Sequence, residues 1–351
     1  MGMRSTILRT GLETLYFTGA HRWLGPHVGG VGAILMLHHV RPPRRDAFQP
    51  NAPLEVTPDY LVRVVRWLRQ ADIDIVSLDE MHRRLTARDF ARRFACFTFD
   101  DGYRDNKEFA YPILKEAGAP FCIYVASSFP DRLGKLWWLA LEAVIARNTR
   151  LHIEMDGRER WIACDDLDTK RRAFDLLYWW LRSLPTEQQV MDTVWELAAR
   201  YGVDGAAFCA ELCMDWSELA EIAADPLVTI GAHTVNHVML AKVSDGQAHS
   251  ELKMSRSVIG AALGRTPEHF AYPYGDRATV GVRDFRIAAE LGYKTAVTTR
   301  PGVLFPEHAN HLTALPRISL NGTYQSARFI PVLVSGTATA VWNRFRRVDA
   351  A

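Results

Sequence analysis

The 351-residue sequence has no long apolar run, few cysteines and almost no excess of either charge. No stretch of about 18 apolar residues occurs, so an integral membrane segment is not expected. Lysine and arginine total 42 against 40 acidic residues, and a formal net charge of +2 gives no electrostatic reason to expect a nucleic-acid partner. The 5 cysteines include no CxxC pair, which favours structural thiols in a reducing compartment over a disulfide framework.

The N-terminus also lacks the uninterrupted apolar core of a signal peptide, because Arg9, Glu13 and His21 break it. We therefore expect a cytoplasmic location. Residues 5–18 have the pattern of a short amphipathic helix, and we interpret it as docked on the domain. Weak peripheral membrane contact through this segment is the alternative.

Apolar runs alternate with helical patterns along most of the chain. Strands are predicted at 32–40, 74–78, 94–99, 120–126, 227–233, 269–275, 294–299 and 315–320. Helices are predicted at 58–70, 80–90, 106–118, 245–263 and 281–292. Such alternation indicates parallel pairing, and seven or eight strands favour an α/β barrel over an open sheet.

Residues 131–225 interrupt this alternation with mainly helical patterns and one hairpin pattern around Asp156-Gly157. We interpret them as an insertion into a barrel that spans 31–330. Residues 1–30 then form an N-terminal helical segment, and 331–351 form a C-terminal tail predicted to end as a surface helix.

The buried run Phe94–Phe99 ends in two adjacent carboxylates, Asp100 and Asp101. The two repel each other and neither suits a strand interior, but a barrel carries its reactive groups at the carboxyl ends of its strands. Asp165 and Asp166 are also paired, yet they precede a helical pattern, where helix capping is a sufficient explanation.

His233 and His237 also follow a predicted strand. Two imidazoles and one carboxylate suit a divalent metal with an open coordination position. One aspartate of the pair would bind the metal and the other would act as a base on water. The HExxH pattern is absent, and Asp100 is available as that base. The ligand types favour Zn2+, with Co2+, Ni2+ and Fe2+ as alternatives.

Three ordered motifs resemble those of the polysaccharide deacetylase family, the NodB-homology enzymes of carbohydrate esterase family 4. They are TFDDG at 98–102, HTVNH at 233–237 and PYG at 273–275, and the resemblance covers roughly 30–130 and 226–320. The family implies a distorted (β/α) barrel and metal-dependent removal of acetyl groups from N-acetylated sugars. Similar members act on chitooligosaccharides or poly-N-acetylglucosamine.

The resemblance also implies roles for individual residues. Asp100 corresponds to the general base, and Asp101, His233 and His237 correspond to the metal ligands. The backbone N–H of Tyr274 corresponds to a donor to the reaction's oxyanion.

One departure concerns the group that positions the base. Many members carry an arginine two residues before the proline of the third motif, where this sequence has Ala271. Arg317, near the end of a late predicted strand, is the substitute that we expect.

A second departure concerns the catalytic acid. The usual Leu-x-His near the C-terminus has no clear copy, since His308 and His311 lie in a loop-like stretch. The sequence MLHHV at 36–40 instead resembles the first-strand histidine of the poly-N-acetylglucosamine branch. His38 is therefore the expected acid, with His39 second.

The expected function is thus removal of N-acetyl groups from oligo- or polysaccharides that contain N-acetylglucosamine, which are the expected partners. An O-acetyl esterase acting on xylan or another glycan would use the same metal site. A metal-bearing glycan-binding protein without a catalytic acid is the remaining alternative. Trp137-Trp138 and Trp179-Trp180 favour helix packing over sugar stacking, because adjacent helical residues do not share a face.

Overall fold

A computed structural model describes residues 3–350, with side chains from residue 6 onward. The first two residues of the predicted N-terminal segment and the last of the tail lie outside this range. Within it, the strands are β1 Gly32–Leu37, β2 His39–Val40, β3 Glu55–Val56, β4 Asp74–Ile75, β5 Phe94–Phe99, β6 Phe121–Val125, β7 Arg150–Met155, β8 Arg158–Ala163, β9 Val228–Ala232, β10 His269–Ala271, β11 Thr295–Pro301 and β12 Leu315–Ser319.

The helices alternate with the strands outside the insertion. They are α1 Met3–Phe17, α2 Ala20–Val28, α3 Pro58–Gln70, α4 Leu78–Ala87, α5 Tyr111–Glu116, α6 Trp137–Arg147, α7 Leu167–Ser183, α8 Glu187–Arg200, α9 Ala207–Leu212, α10 Trp216–Ala223, α11 Asp245–Leu263, α12 Val282–Glu290, α13 Phe329–Val334 and α14 Thr337–Trp342. A π-helical turn, Asn106–Ala110, precedes α5.

Seven parallel strands close into a barrel in the order β1, β12, β11, β10, β9, β6, β5 and back to β1. The short β4 pairs with the start of β5 outside this ring. The predicted α/β barrel is therefore confirmed. Strands β1 and β5 pair in register from Gly32↔Phe94 to Leu37↔Phe99, so both end at the same level.

The strand period of two determines which side chains enter the barrel. Cys96 of β5 and Leu315 of β12 pack in the interior cluster, whereas Phe97 packs against the surrounding helices. Asp100 and Arg317 continue the interior series of their own strands, because they lie an even number of residues beyond Cys96 and Leu315. Both side chains therefore enter the barrel mouth.

The segment 131–225 has a hydrophobic cluster of its own, in which Trp137, Leu177 and Val194 are buried. Tyr103 and Met239 from loops of the barrel belong to the same cluster. Helices α6 to α8 therefore pack over the carboxyl end of the barrel. The predicted hairpin is confirmed, because β7 and β8 pair antiparallel on either side of Asp156-Gly157.

Several predicted elements end earlier than expected. The strand predicted at 74–78 stops at Ile75, because the Ser77 side chain caps α4. The run 32–40 divides at His38, and the strand predicted from 269 stops at Ala271. The surface helix predicted at the end of the tail is wrong, because α14 ends at Trp342 and residues 343–350 form no helix.

The predicted N-terminal helix docks on the domain through Leu12, which packs with Phe329 and Val332 of α13. No helix in the part of the chain that the structure describes is long and apolar enough to span a membrane.

Candidate active site

A sharp turn after β5 resolves the repulsion between the two adjacent aspartates. Asp101 has φ 73° and Gly102 has φ 65°, so both adopt the left-handed conformation. Non-glycine residues adopt it rarely, and such strain concentrates at functional sites. The turn directs the two buried carboxylates to different partners: Asp100 contacts Arg317, and Asp101 contacts a pair of histidines.

Asp101, His233 and His237 form a compact, buried cluster whose ligand atoms all lie within 4.8 Å of one another. Asp101 Oδ1 lies 3.4 Å from His233 Nε2 and 3.2 Å from His237 Nε2. That oxygen is buried and has no hydrogen-bond partner among the described residues. Burial alone would raise the pKa of Asp101, but the two facing imidazoles hold it well below its ordinary value.

The His233 ring is oriented by a hydrogen bond of 2.7 Å between Nδ1 and the Ala271 carbonyl oxygen. Since a carbonyl only accepts, Nδ1 carries a proton, and Nε2 is the ring atom that faces Asp101. The Asp101 oxygen and two imidazole nitrogens thus converge on one point, an arrangement that suits a cation. The residues present fit a divalent metal.

Asp100 is held by a buried bidentate ion pair. Arg317 donates from Nη1 to Oδ1 and from Nη2 to Oδ2, each at 2.7 Å, and its Nε donates to the Thr298 carbonyl. Burial alone would raise the pKa of Asp100, but the Arg317 charge and hydrogen bonds hold it below its usual value. Asp100 is therefore ionised at neutral pH and able to accept a proton. Ala271 lies in β10, so the missing arginine has its structural counterpart on β12.

His38 and His39 have different environments. His38 follows β1, is partly exposed, and has its Nε2 3.9 Å from Asp100 Oδ2. Burial lowers the pKa of His38, against the raising effect of Asp100 and Asp101. His39 is buried, with Nδ1 2.6 Å from Asp105 Oδ2 and its ring stacked on Tyr103. The geometry therefore favours His38 over His39 as the group that reaches substrate.

Tyr274 occupies a strained loop beside the metal cluster. Its φ is 59°, its ring centroid lies 5.0 Å from that of His237, and its hydroxyl accepts a 2.6 Å hydrogen bond from Trp137 Nε1. The Tyr274 carbonyl accepts from Thr299 Oγ1 at 2.5 Å. Its backbone N–H has no hydrogen-bond acceptor within the described range, and is therefore available to a ligand.

The structure thus brings together all seven residues predicted for the site. They are His38, Asp100, Asp101, His233, His237, Tyr274 and Arg317. The chemical role of each residue stays a prediction.

Other residues considered from sequence lie elsewhere. His308 is at the opposite end of the barrel, because Leu304 pairs with Gly32 at the start of β1. Asp166 caps α7, accepting a hydrogen bond from Thr169 N at 2.7 Å, as predicted. Trp137 and Trp138 are both buried, which agrees with helix packing, whereas Trp179 is largely exposed and does not fit that expectation.

Sequence reasoning missed the groups that support the site. Asn106 Nδ2 donates to the His38 carbonyl at 2.7 Å, next to the Asp105 that binds His39. Asp105 and Asn106 lie within four residues of the end of the first motif, and this closeness was the signal that could have identified them. Glu251 accepts from the backbone N–H groups of Val235 and Asn236, and so fixes the loop between the two histidines. No pattern in the sequence marked Glu251.

Comparisons with known proteins show which family and which fold this chain resembles. The family model described as polysaccharide deacetylase matches residues 173–296, which include the second and third motifs but not the first. No curated protein is significantly similar in sequence.

Solved structures share the fold at low sequence identity. The deacetylase PplD from Streptococcus pyogenes, in complex with acetate, aligns with a TM-score of 0.58 at 20% identity, covering 86% of this chain and 97% of that chain. IcaB from Ammonifex degensii aligns with a TM-score of 0.56 at 17% identity, covering 88% and 98%. The putative polysaccharide deacetylase BA0330 from Bacillus anthracis aligns with a TM-score of 0.55 at 14% identity, covering 86% and 68%.

Proposed function

We propose that this chain is a polysaccharide deacetylase that removes N-acetyl groups from glycans containing N-acetylglucosamine with the aid of a divalent metal. The family model that matches residues 173–296 and the fold shared with solved deacetylases support this proposal. The observation that carries this proposal is the buried Asp101 oxygen, which faces two imidazole nitrogens and has no hydrogen-bond partner among the described residues. The ionised Asp100 beside it supplies the base that amide hydrolysis needs.

Asp101, His233 and His237 would hold the cation. When bound, a divalent cation acts as a Lewis acid and lowers the pKa of water. The orientation of His233 by Ala271 keeps its Nε2 available as a ligand. Zn2+ suits this set best, and Co2+, Ni2+ and Fe2+ suit it next.

The chain's own residues account for the movement of protons. Asp100 accepts a proton from the water whose oxygen attacks the acetamide carbon. The Tyr274 N–H donates to the oxygen that gains negative charge. Protonated His38 donates to the sugar nitrogen as the C–N bond breaks, so that a free amine and acetate leave.

Acetate release from defined N-acetylglucosamine oligomers, with and without chelator, tests the proposal. We expect release from the oligomers, its loss with chelator and its return when metal is added. Asp100→Asn should give no release. Release only from acetylated xylan would replace the proposal with an O-acetyl esterase, and tight oligomer binding without release would indicate a binding protein.

The same preparation identifies the metal. Elemental analysis of protein purified without added metal should find about one divalent ion per chain, with zinc expected. A chain that carries no ion and shows no gain in activity with any of the four metals would contradict a metal-dependent mechanism.

Exposed apolar side chains support peripheral membrane contact as well. Ile7, Phe17 and Trp23 of α1 and α2 are largely exposed, as are Trp342 and Phe345 at the C-terminal end. Aromatic side chains of this kind suit the membrane–water interface. Co-sedimentation with anionic vesicles should decrease when Phe17 and Trp23 become serine, and should not change for Trp161→Ser on the insertion hairpin. Equal vesicle binding by the wild type, the Phe17/Trp23 variant and Trp161→Ser would exclude these residues as a membrane-binding surface.

A cytoplasmic location is a prediction, and cell fractionation is the measurement that tests it.

A further inference from the structure

A cavity of about 840 Å³ lies beside the loop that carries Tyr274, and we call it the tail cleft. Its lining includes the end of α7, residues 276–279, residues 299–301 and the tail after α14. Thr299 lines the cleft and donates to the Tyr274 carbonyl, and Asp276 lies two residues beyond Tyr274. The loop that carries Tyr274 therefore borders the tail cleft through Asp276 and contacts the metal cluster through Tyr274.

The tail cleft concentrates positive charge. Its basic side chains are Arg182, Lys242, Arg277, Arg300, Arg344 and Arg346, and its acidic ones are Asp276 and Asp349. The difference of six and two is an excess of four positive charges, in a chain whose formal net charge is +2. Such a cleft attracts anions, because walls of low dielectric focus the field of its charges.

The two acidic groups are already engaged by arginines. Arg182 binds Asp276 at 2.5 Å, and Asp349 receives Arg277 at 2.8 Å and Arg300 at 3.1 Å. Arg344 and Arg346 are exposed and form no side-chain ion pair with the described residues. Two guanidinium groups at the rim therefore remain available to a ligand.

The rings of Tyr274 and Trp179 both lie close to Arg182, one of the basic side chains of the tail cleft. The Tyr274 ring lies next to His237 on one side, and the Arg182 guanidinium lies 5.3 Å from the same ring. Arg182 also lies 5.2 Å from the ring of Trp179, whose side chain is largely exposed at the cleft. Exposed tryptophan faces are suited to stacking against sugar rings. Arg182 and Trp179 are therefore the basic and aromatic side chains that connect Tyr274, beside the metal cluster, with the tail cleft.

We propose that the tail cleft binds an anionic group carried by the glycan substrate, adjacent to the sugar that loses its acetyl group. This inference rests on the proposed function. The shared chemistry is an oxyanion attached to the glycan, either a phosphate or diphosphate at its end or the carboxylate of a neighbouring uronic acid. Guanidinium groups match both kinds of oxyanion by paired hydrogen bonds. A neutral oligomer would leave the excess charge of the cleft without a counterion from the substrate.

Kinetics with three substrates test the proposal: a neutral N-acetylglucosamine oligomer, the same oligomer with a terminal diphosphate, and one containing a uronic acid. The double variant Arg344→Gln/Arg346→Gln should raise KM for a charged substrate about tenfold, because two charge-assisted contacts are lost. It should leave kcat and the neutral substrate unchanged. The matched control is Arg347→Gln, on the same tail, whose side chain pairs with Glu307 at 3.5 Å and does not line the tail cleft.

The charged substrate that shows the larger change identifies the source of the anion. If the double variant raises KM equally for neutral and charged oligomers, or changes none of them, the tail cleft is not an anion subsite. The same conclusion follows if Arg347→Gln has the same effect as the double variant.

Binding of inorganic pyrophosphate, measured by calorimetry, provides a readout that needs no turnover. We expect binding by the wild type and by Arg347→Gln, and binding about tenfold weaker in the double variant. Unchanged binding in the double variant would place pyrophosphate elsewhere, including on the metal, and would refute the proposal. No acetate release from any glycan, together with pyrophosphate binding that depends on Arg344 and Arg346, would refute the proposed function and leave the anion site standing.

Discussion

The buried pair of Asp100 and Arg317 allows a quantitative test by a double-mutant cycle. Arg317 is 1% exposed and Asp100 is 2% exposed, with both hydrogen bonds at 2.7 Å. Two unit charges about 4 Å apart attract by about 4 kcal/mol at an effective dielectric constant of about 20. Removal of one partner leaves the other charge buried and unpaired, which typically lowers the free energy of unfolding by about 3–5 kcal/mol.

We expect Asp100→Asn and Arg317→Met each to lower the free energy of unfolding by about 3–5 kcal/mol. The double variant should lose less than the sum by about 2–4 kcal/mol, because neither charge is then left unpaired. Urea denaturation at pH 7 with chelator present measures all four proteins without a contribution from bound metal. Additive single-variant effects, within about 0.5 kcal/mol, would refute the view that the two residues form one charge pair.

The pair also predicts a pH dependence. The pKa of Asp100 is lowered in the folded protein, so its contribution to stability is present above the pKa of the unfolded chain and is lost as the pH falls through the folded value. In Arg317→Met the pKa of Asp100 should rise. The acidic limb of the pH–rate profile should therefore move to higher pH, and Arg317→Lys should move it less. An unchanged profile would argue that Arg317 does not position the base.

Three further predictions concern neighbouring groups. His233→Ala should lose the bound metal in elemental analysis, whereas Asp100→Asn should retain it and lose acetate release; metal retained in His233→Ala would contradict the ligand assignment. Burial raises the pKa of Glu187 to about 7 in the folded protein, above its pKa in the unfolded chain. Ionisation of this carboxyl group therefore lowers the free energy of unfolding as the pH rises from the unfolded pKa toward 7. Glu187→Gln should therefore be more stable than wild type at pH 8, by about 2 kcal/mol in urea denaturation, and similar at pH 5; equal stability at both values would exclude this cost. Trp137→Phe removes the hydrogen bond to the Tyr274 hydroxyl, which should cost about 1 kcal/mol of stability and lower kcat, whereas unchanged kcat would show that the bond does not position the loop.

The barrel could be predicted from sequence to a large extent because its strands are buried on both faces. Strands β1, β5 and β6 are buried at every position, which produces continuous apolar runs. Strand ends were harder to predict, because they depend on competing local bonds. The Ser77 cap ended one predicted strand early.

The sequence by itself determined which residues form the candidate site. The two aspartates after β5 and the two histidines after β9 occupy strand ends that must meet at one rim of any closed parallel barrel. Only the tertiary structure decided which partner each carboxylate contacts. The left-handed turn at Asp101 separates the carboxylates, and the register of β12 sets Arg317 against Asp100, 217 residues away in the chain. The tail cleft likewise forms between the insertion and the C-terminal tail, which come together only on folding. No local sequence pattern predicts a contact between segments so far apart in the chain.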